Sequence, residues 1–250
     1  MRNGRARSVS DASRVASRAR IARRVGSASA ANVTSSAGSL DLTIWLSLWP
    51  IPAVSSRPDF HRVRREAYFP GMIYTIGHST RELGEFLDLL AAHGVTQIVD
   101  VRRYPASRRH PHFAREALAA ALAAVGIGYQ HEPELGGRRT ARRDSTNTAW
   151  RSASFRGYAD YMETSEFADA LGRLRELARV RPTAILCAEA VPWRCHRQLI
   201  ADALVARGDP VSHILGVARA DPHQLSAHAQ VLPGGQLRYR AGPVEQIPLC

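Results

Sequence analysis

The chain has 250 residues, 45% of them hydrophobic, and a formal net charge of +12. That is enough apolar material for one sizeable core, and the complete absence of lysine excludes Schiff-base or lysine-base chemistry. Three cysteines do not make a secreted disulfide framework and no apolar run is long enough to span a bilayer, so a reducing cytoplasm and no membrane are expected.

Charge is uneven along the chain. Residues 1–71 hold twelve arginines against four acids, a net +8 of the +12, which leaves the remainder mildly basic. Residues 1–39 are rich in Arg, Ser and Ala. They read as a disordered basic tail, as a start placed too far upstream, or as a transit peptide. Residues 40–71 read as linker.

Order begins at Met72. Met72 to Ile76 is a short apolar strand. Ser79 and Glu82 have the spacing of a capping box, which predicts a helix start just after His78. Leu83, Phe86, Leu87 and Leu90 then recur at helical spacing up to Gly94. Gln97 to Val101 is a second strand, followed by a polar loop from Pro105 to Pro111. Leu118, Ala121, Leu122 and Val125 predict a second helix, and Ile127 to His131 a third strand. Pro133 to Ala153 is a loop of unusual length, carrying Gly136-Gly137 and an arginine cluster, and such loops are commonly functional or mobile. One long helix is predicted over Arg156 to Val180, then a strand from Thr183 to Ala188, a helix from Gln198 to Arg207 and a strand from Val211 to Leu215. The tail, 216–250, adds a short strand at Gln236 to Arg240. Alternating strands and helices predict a single α/β domain over 72–215. It is three-layered and Rossmann-like, a mostly parallel sheet with helices on both faces.

Parallel strands end on one edge, where ligands bind in open α/β sheets. Three polar clusters are expected to meet there. Gly77-His78-Ser79 offers close backbone approach, amide groups for an anion and an imidazole. Asp100-Val101-Arg102 offers a base or an orienting carboxylate, with Arg102 and Arg108 as phosphate donors. The run Cys187-Ala188-Glu189 through Trp193, Cys195, His196 and Arg197 is the densest. Burial beside an apolar strand is expected to raise the pKa of Glu189. Arg194 and Arg197 favour a Cys195 thiolate, Arg197 is a further phosphate donor, and Trp193 is a stacking surface for a base. Cys187 reads as a small buried apolar residue. No standard zinc spacing appears and His196 is flanked by arginines, so no metal is expected; no cofactor fingerprint is present either.

These stretches together resemble a bacterial family known as domain of unknown function 488, over roughly Met72 to Leu215. The resemblance is carried by Tyr74 to Ser79, Asp100-Val101-Arg102 with Pro105 and Ser107, Glu134 to Gly137, Arg156 to Met162, and Cys187 to Arg197. It implies that Tyr158, Asp160 and Tyr161 belong to the same motif set, and it brings no activity with it. The expectation from the residues is a hydrolase or transferase acting on an anionic nucleotide or nucleic acid. In that reading Glu189 is nucleophile or base, His78 and Asp100 are acid–base partners, Cys195 is a further catalytic candidate as nucleophile, and Gly77, Ser79, Arg102, Arg108, Arg197, Trp193 and Tyr158 bind substrate. A non-catalytic nucleotide- or nucleic-acid-binding module and a thiol or metal site at Cys195 and His196 are the alternatives.

Overall fold

A computed structural model describes residues 71–241. The expected basic extension, apart from Gly71, and Cys250 lie outside them. The sheet contains β1 (Ile73–Gly77), β2 (Gln97–Asp100), β3 (Gly128–His131), β4 (Thr183–Cys187), β5 (Val211–Gly216) and β6 (Arg219–Pro222), in the order β3-β2-β4-β1-β5-β6. The first five strands run parallel and β6 pairs antiparallel with β5. The α/β reading of the sequence therefore holds. Among the described residues, no helix is long and apolar enough to cross a membrane.

Alternation along the strands divides the core. Ile73, Val99, Ile185 and Val211 face one side, and Ile76, Ile98, Leu186 and Ile214 the other. On the second side, α1 (Leu83–Ala92) buries Phe86 and Leu90 and α2 (Arg115–Ala123) buries Leu118 and Leu122. On the first side lie α3 (Ala153–Tyr161), α4 (Ser165–Val180) and α5 (Arg197–Val205), with Tyr158, Phe167, Leu171, Leu174, Leu199 and Leu204 inward. Both faces are covered, as a sheet of continuous apolar strands requires.

Three local expectations change. The single helix over 156–180 is two helices. Thr164 ends the first, its hydroxyl donating to Tyr161 O at 2.8 Å, and caps the second by accepting the Phe167 N–H at 3.4 Å. The capping box at Ser79 is absent, and α1 begins at Leu83. The amides of His78 and Ser79 are already donated to Cys187 O and Ala188 O, at 3.0 and 2.9 Å. The chain therefore turns through Ser79, at φ +50°, before a helix begins. The tail is also richer than expected. Besides β6 it forms a hairpin of β7 (Ala229–Leu232) and β8 (Gln236–Tyr239), which packs Ala229, Leu237 and Tyr239 on the first-side core.

A buried polar chain joins this tail to the sheet. Asp202, fully buried on α5, accepts from His223 Nε2, the Ser226 amide and hydroxyl, and the Tyr239 hydroxyl, at 2.6–2.9 Å. His223 Nδ1 lies 2.9 Å from His213 Nε2, and His213 Nδ1 lies 2.8 Å from the Thr75 hydroxyl. Because Asp202 only accepts, His223 carries a proton on Nε2, and in its neutral form its Nδ1 accepts the Nε2 proton of His213. His213 in turn accepts the Thr75 hydroxyl proton.

Candidate functional site

The sheet order sets β4 between β2 and β1, so the ends of all three strands are neighbours. Val101 N donates to Leu186 O at 3.0 Å, while the amides of His78 and Ser79 reach the next two residues of the same segment. Gly77 permits this approach: a Cβ there would stand 1.9 Å from the Glu189 carbonyl oxygen.

Asp100 and Arg102 form a sealed pair. Asp100 is fully buried and accepts from Arg102 Nε at 2.8 Å, Arg102 NH2 at 2.5 Å, the Arg102 amide at 3.1 Å and the Tyr129 hydroxyl at 2.7 Å. The remaining guanidinium nitrogen of Arg102 donates to Phe113 O at 2.8 Å and faces His78 Nε2 at 3.3 Å. Burial opposes the Arg102 charge, but the hydrogen bonds and charge of Asp100 outweigh it and hold its pKa up. His78 donates from Nδ1 to Ser79 O at 3.0 Å and stacks on Phe113 at 4.3 Å. Burial, then the Arg102 charge, lowers its pKa to about 4, so it is neutral with its Nε2 lone pair turned to Arg102. These groups meet as expected, but they satisfy one another. Asp100 has no open lone pair for a substrate proton and Arg102 no open fork for a phosphate. The amides of His78 and Ser79 are likewise unavailable to an anion.

Glu189 departs from its expectation. It is exposed, because the chain leaves the sheet at Cys187, two residues earlier. Its side chain has no hydrogen bond or ion pair among the described residues. Arg197 is turned inward instead. It is 1% exposed and donates to the carbonyls of Glu189, at 2.5 Å, and Ala190, at 3.3 Å, and to the Thr75 hydroxyl at 3.3 Å. It braces the Glu189 loop from beneath and cannot also hold a phosphate. Tyr158 is buried too, its hydroxyl donating to Leu135 O at 2.7 Å. Trp193 and Arg108 are exposed, as a surface-binding role requires.

The stretch Arg156 to Met162 acts on the long loop. Asp160 accepts from the Arg142 amide at 2.8 Å, the Ser145 hydroxyl at 2.6 Å and the Asn147 side-chain amide at 2.9 Å. Arg139 stacks on Tyr161 at 3.5 Å. The loop is thus tied to α3 along its length.

The alternative of a thiol or metal site at Cys195 and His196 left out one member, Cys187, which was expected to be a small buried apolar residue. Cys187, Cys195 and His196 bring two sulfurs and a ring nitrogen within 4.8 Å of one another. The Cys187–Cys195 contact favours the thiolate on Cys195 and, with burial, the thiol on Cys187; the Arg197 charge further favours Cys195 ionisation. Ordinary zinc spacing in the linear sequence is no guide here, since it is the return of the loop from β4 to α5 that closes the group.

No curated protein and no solved structure matches the chain. Residues 82–204 match the family described as Domain of unknown function DUF488. That segment runs from the start of α1 to α5 and contains the Asp100–Arg102 pair, the loop fixed by Asp160 and the whole Cys187–His196 run, and it is over these residues that the chain carries a DUF488 domain.

Proposed function

We propose that the protein is a hydrolase or transferase acting on an anionic nucleotide or nucleic-acid substrate at the C-terminal edge of the sheet, in a cytoplasmic setting. The observation that carries this reading is the meeting of the loops after β1 and β4. They form an open cleft of about 240 Å³ lined by Ser79, Thr80, Arg81, Glu85 and Ala190. Glu189, with its free carboxylate, immediately precedes Ala190 in the loop.

In this reading Glu189 takes the proton of an attacking water or hydroxyl, or itself attacks the reacting centre. His78, Asp100 and Arg102 are positioning residues that hold the strand ends. Anion attraction falls to the exposed arginines of the same edge, Arg108, Arg109, Arg143 and Arg194, none of which has an acid partner among the described residues. Two exposed aromatic rings supply stacking surfaces, Trp193 at 61% and Tyr104 at 63% exposure.

The test uses the full chain, a panel of nucleotides and single-stranded oligonucleotides, with binding read by anisotropy and turnover by chromatography. Glu189→Gln is expected to abolish turnover while leaving affinity within about twofold, and Trp193→Ala to weaken binding about tenfold. Undiminished turnover in Glu189→Gln removes the catalytic reading. The exposed arginines and aromatics also favour a second reading, a non-catalytic binding module. Salt-sensitive binding with no turnover of any substrate selects it.

A further inference from the structure

We infer that Cys187, Cys195 and His196 form a zinc site of the Cys2His type, with the fourth coordination position left to water or another ligand. The inference stands apart from the anion-binding reading and does not depend on it.

Geometry carries it. Zinc binds thiolate sulfur near 2.3 Å and imidazole nitrogen near 2.0–2.1 Å, so a tetrahedral site separates sulfur from nitrogen by about 3.6 Å and sulfur from sulfur by about 3.8 Å. Here Nδ1 of His196 lies 3.6 Å from Cys195 Sγ and 4.0 Å from Cys187 Sγ. An adjustment of about 0.4 Å brings the Cys187–His196 edge to the tetrahedral length, and the two sulfurs lie within 4.8 Å of one another.

The second observation is the tautomer of His196. Its Nε2 lies 3.1 Å from Val101 O. A carbonyl only accepts, so a proton sits on Nε2, and in the neutral ring the Nδ1 lone pair is directed to the two sulfurs. An imidazole anchored through its other nitrogen to a backbone carbonyl is the usual outer-shell arrangement of a metal-bound histidine. The ring is fixed further by Tyr158, 5.2 Å away, and by Gly137, where a Cβ would come within 2.9 Å of Nδ1.

Charge does not forbid the ion. The Arg197 charge acts on both thiols, but its guanidinium is drawn to the carbonyls of Glu189 and Ala190 and to Thr75. A bound ion displaces the Cys187 proton, and the two thiolates of the loaded site outweigh the arginine. Both cysteines are buried and free, which protects them from oxidation while they wait for a metal. Thiolate and imidazole donors select zinc over magnesium or calcium.

The test is metal titration of the reduced, chelator-stripped full-length protein. Cobalt(II) is expected to bind one equivalent, with tetrahedral d–d bands and a thiolate-to-cobalt charge-transfer band in the near ultraviolet. Zinc then displaces it, read against a chromophoric chelator. Cys187→Ser, Cys195→Ser and His196→Ala each are expected to weaken zinc by more than the roughly 10–100-fold that loss of an outer-shell partner costs. Gly137→Ala, which presses on Nδ1 without removing a ligand, is expected to weaken it less. Cys250→Ser is expected to change nothing.

The cobalt spectrum of the unmodified protein requires no variant, so a variant that fails to fold leaves the test intact. An octahedral spectrum without a thiolate band, ready formation of a Cys187–Cys195 disulfide with no metal uptake after reduction, or equal zinc affinity in Cys195→Ser overturns the inference.

Discussion

Arg102 grips Asp100 through two side-chain hydrogen bonds, 2.8 and 2.5 Å, with neither residue more than 6% exposed. Removing one partner of such a pair leaves the other buried and unpaired. Arg102→Ala is therefore expected to cost about 3–5 kcal/mol in urea unfolding. The Asp100→Ala/Arg102→Ala double variant is expected to lose less than the sum of the single changes by on the order of 1 kcal/mol or more. Strict additivity would mean that the pair does not act as a unit.

Two glycines with opposite surroundings make a paired experiment. A methyl group at Gly77 meets the Glu189 backbone, whereas one at Gly172, inside α4, meets nothing within 4 Å. Gly77→Ala is expected to destabilise by about 1–3 kcal/mol and to shift the loop above Arg197. Gly172→Ala is expected to stabilise by about 0.5–1 kcal/mol. Equal melting temperatures for both variants would contradict the packing at the β1–β4 loop.

Acid sensitivity follows from His213. It faces Thr75, His223, Asp221, Asp202 and Arg197; burial, then the charges of His223 and Arg197, lowers its pKa to about 4. The unfolded chain binds the proton near pH 6.5, so between 6.5 and 4 the unfolded state holds more protons. Stability from this group is complete above pH 6.5 and declines as pH falls, by at most about 1.4 kcal/mol per unit. His213→Gln is expected to flatten the stability–pH curve over that window, measured by urea midpoints at fixed ionic strength. His78 shifts in the same direction and leaves a residual slope.

Salt dependence separates phosphate contacts from other modes of binding. If the edge holds single-stranded nucleic acid through Arg108 and Arg194, each charge removed is expected to reduce the slope of log affinity against log salt by about 0.7. Anisotropy titrations of Arg108→Ala, Arg194→Ala and the double variant at several salt concentrations read this directly. Unchanged slopes would place these arginines outside the interface.

Much of the fold was legible because burial repeats with the period of each element. Phe86 and Leu90 mark the inward face of α1, and Ile98 and Val99 fall on opposite faces of β2. The neighbouring strand ends were legible for a similar reason, since parallel strands share an edge. Other features depend on what the chain meets in space. Tyr129 completes the Asp100 cluster from a half-buried strand with no motif of its own. Glu189 follows an apolar strand yet emerges into solvent. Cys187 has the composition of a core residue, and only the return of the Cys195–His196 pair gives it chemistry. The edge strand β6 reads Arg-Ala-Asp-Pro, a sequence with little strand propensity, and forms because β5 offers it a free side.

The Asp202 cluster has a practical consequence for defining the domain. The Glu189 and Ala190 carbonyls rest on Arg197, Arg197 on Thr75, and Thr75 on His213, whose partner His223 answers to Asp202. Thr75 precedes the matched stretch 82–204, while His213, His223, Ser226 and Tyr239 follow it. A fragment trimmed to the family boundaries would strand a carboxylate in the interior and leave the Glu189 turn without its foundation, so the smallest working unit extends to β8.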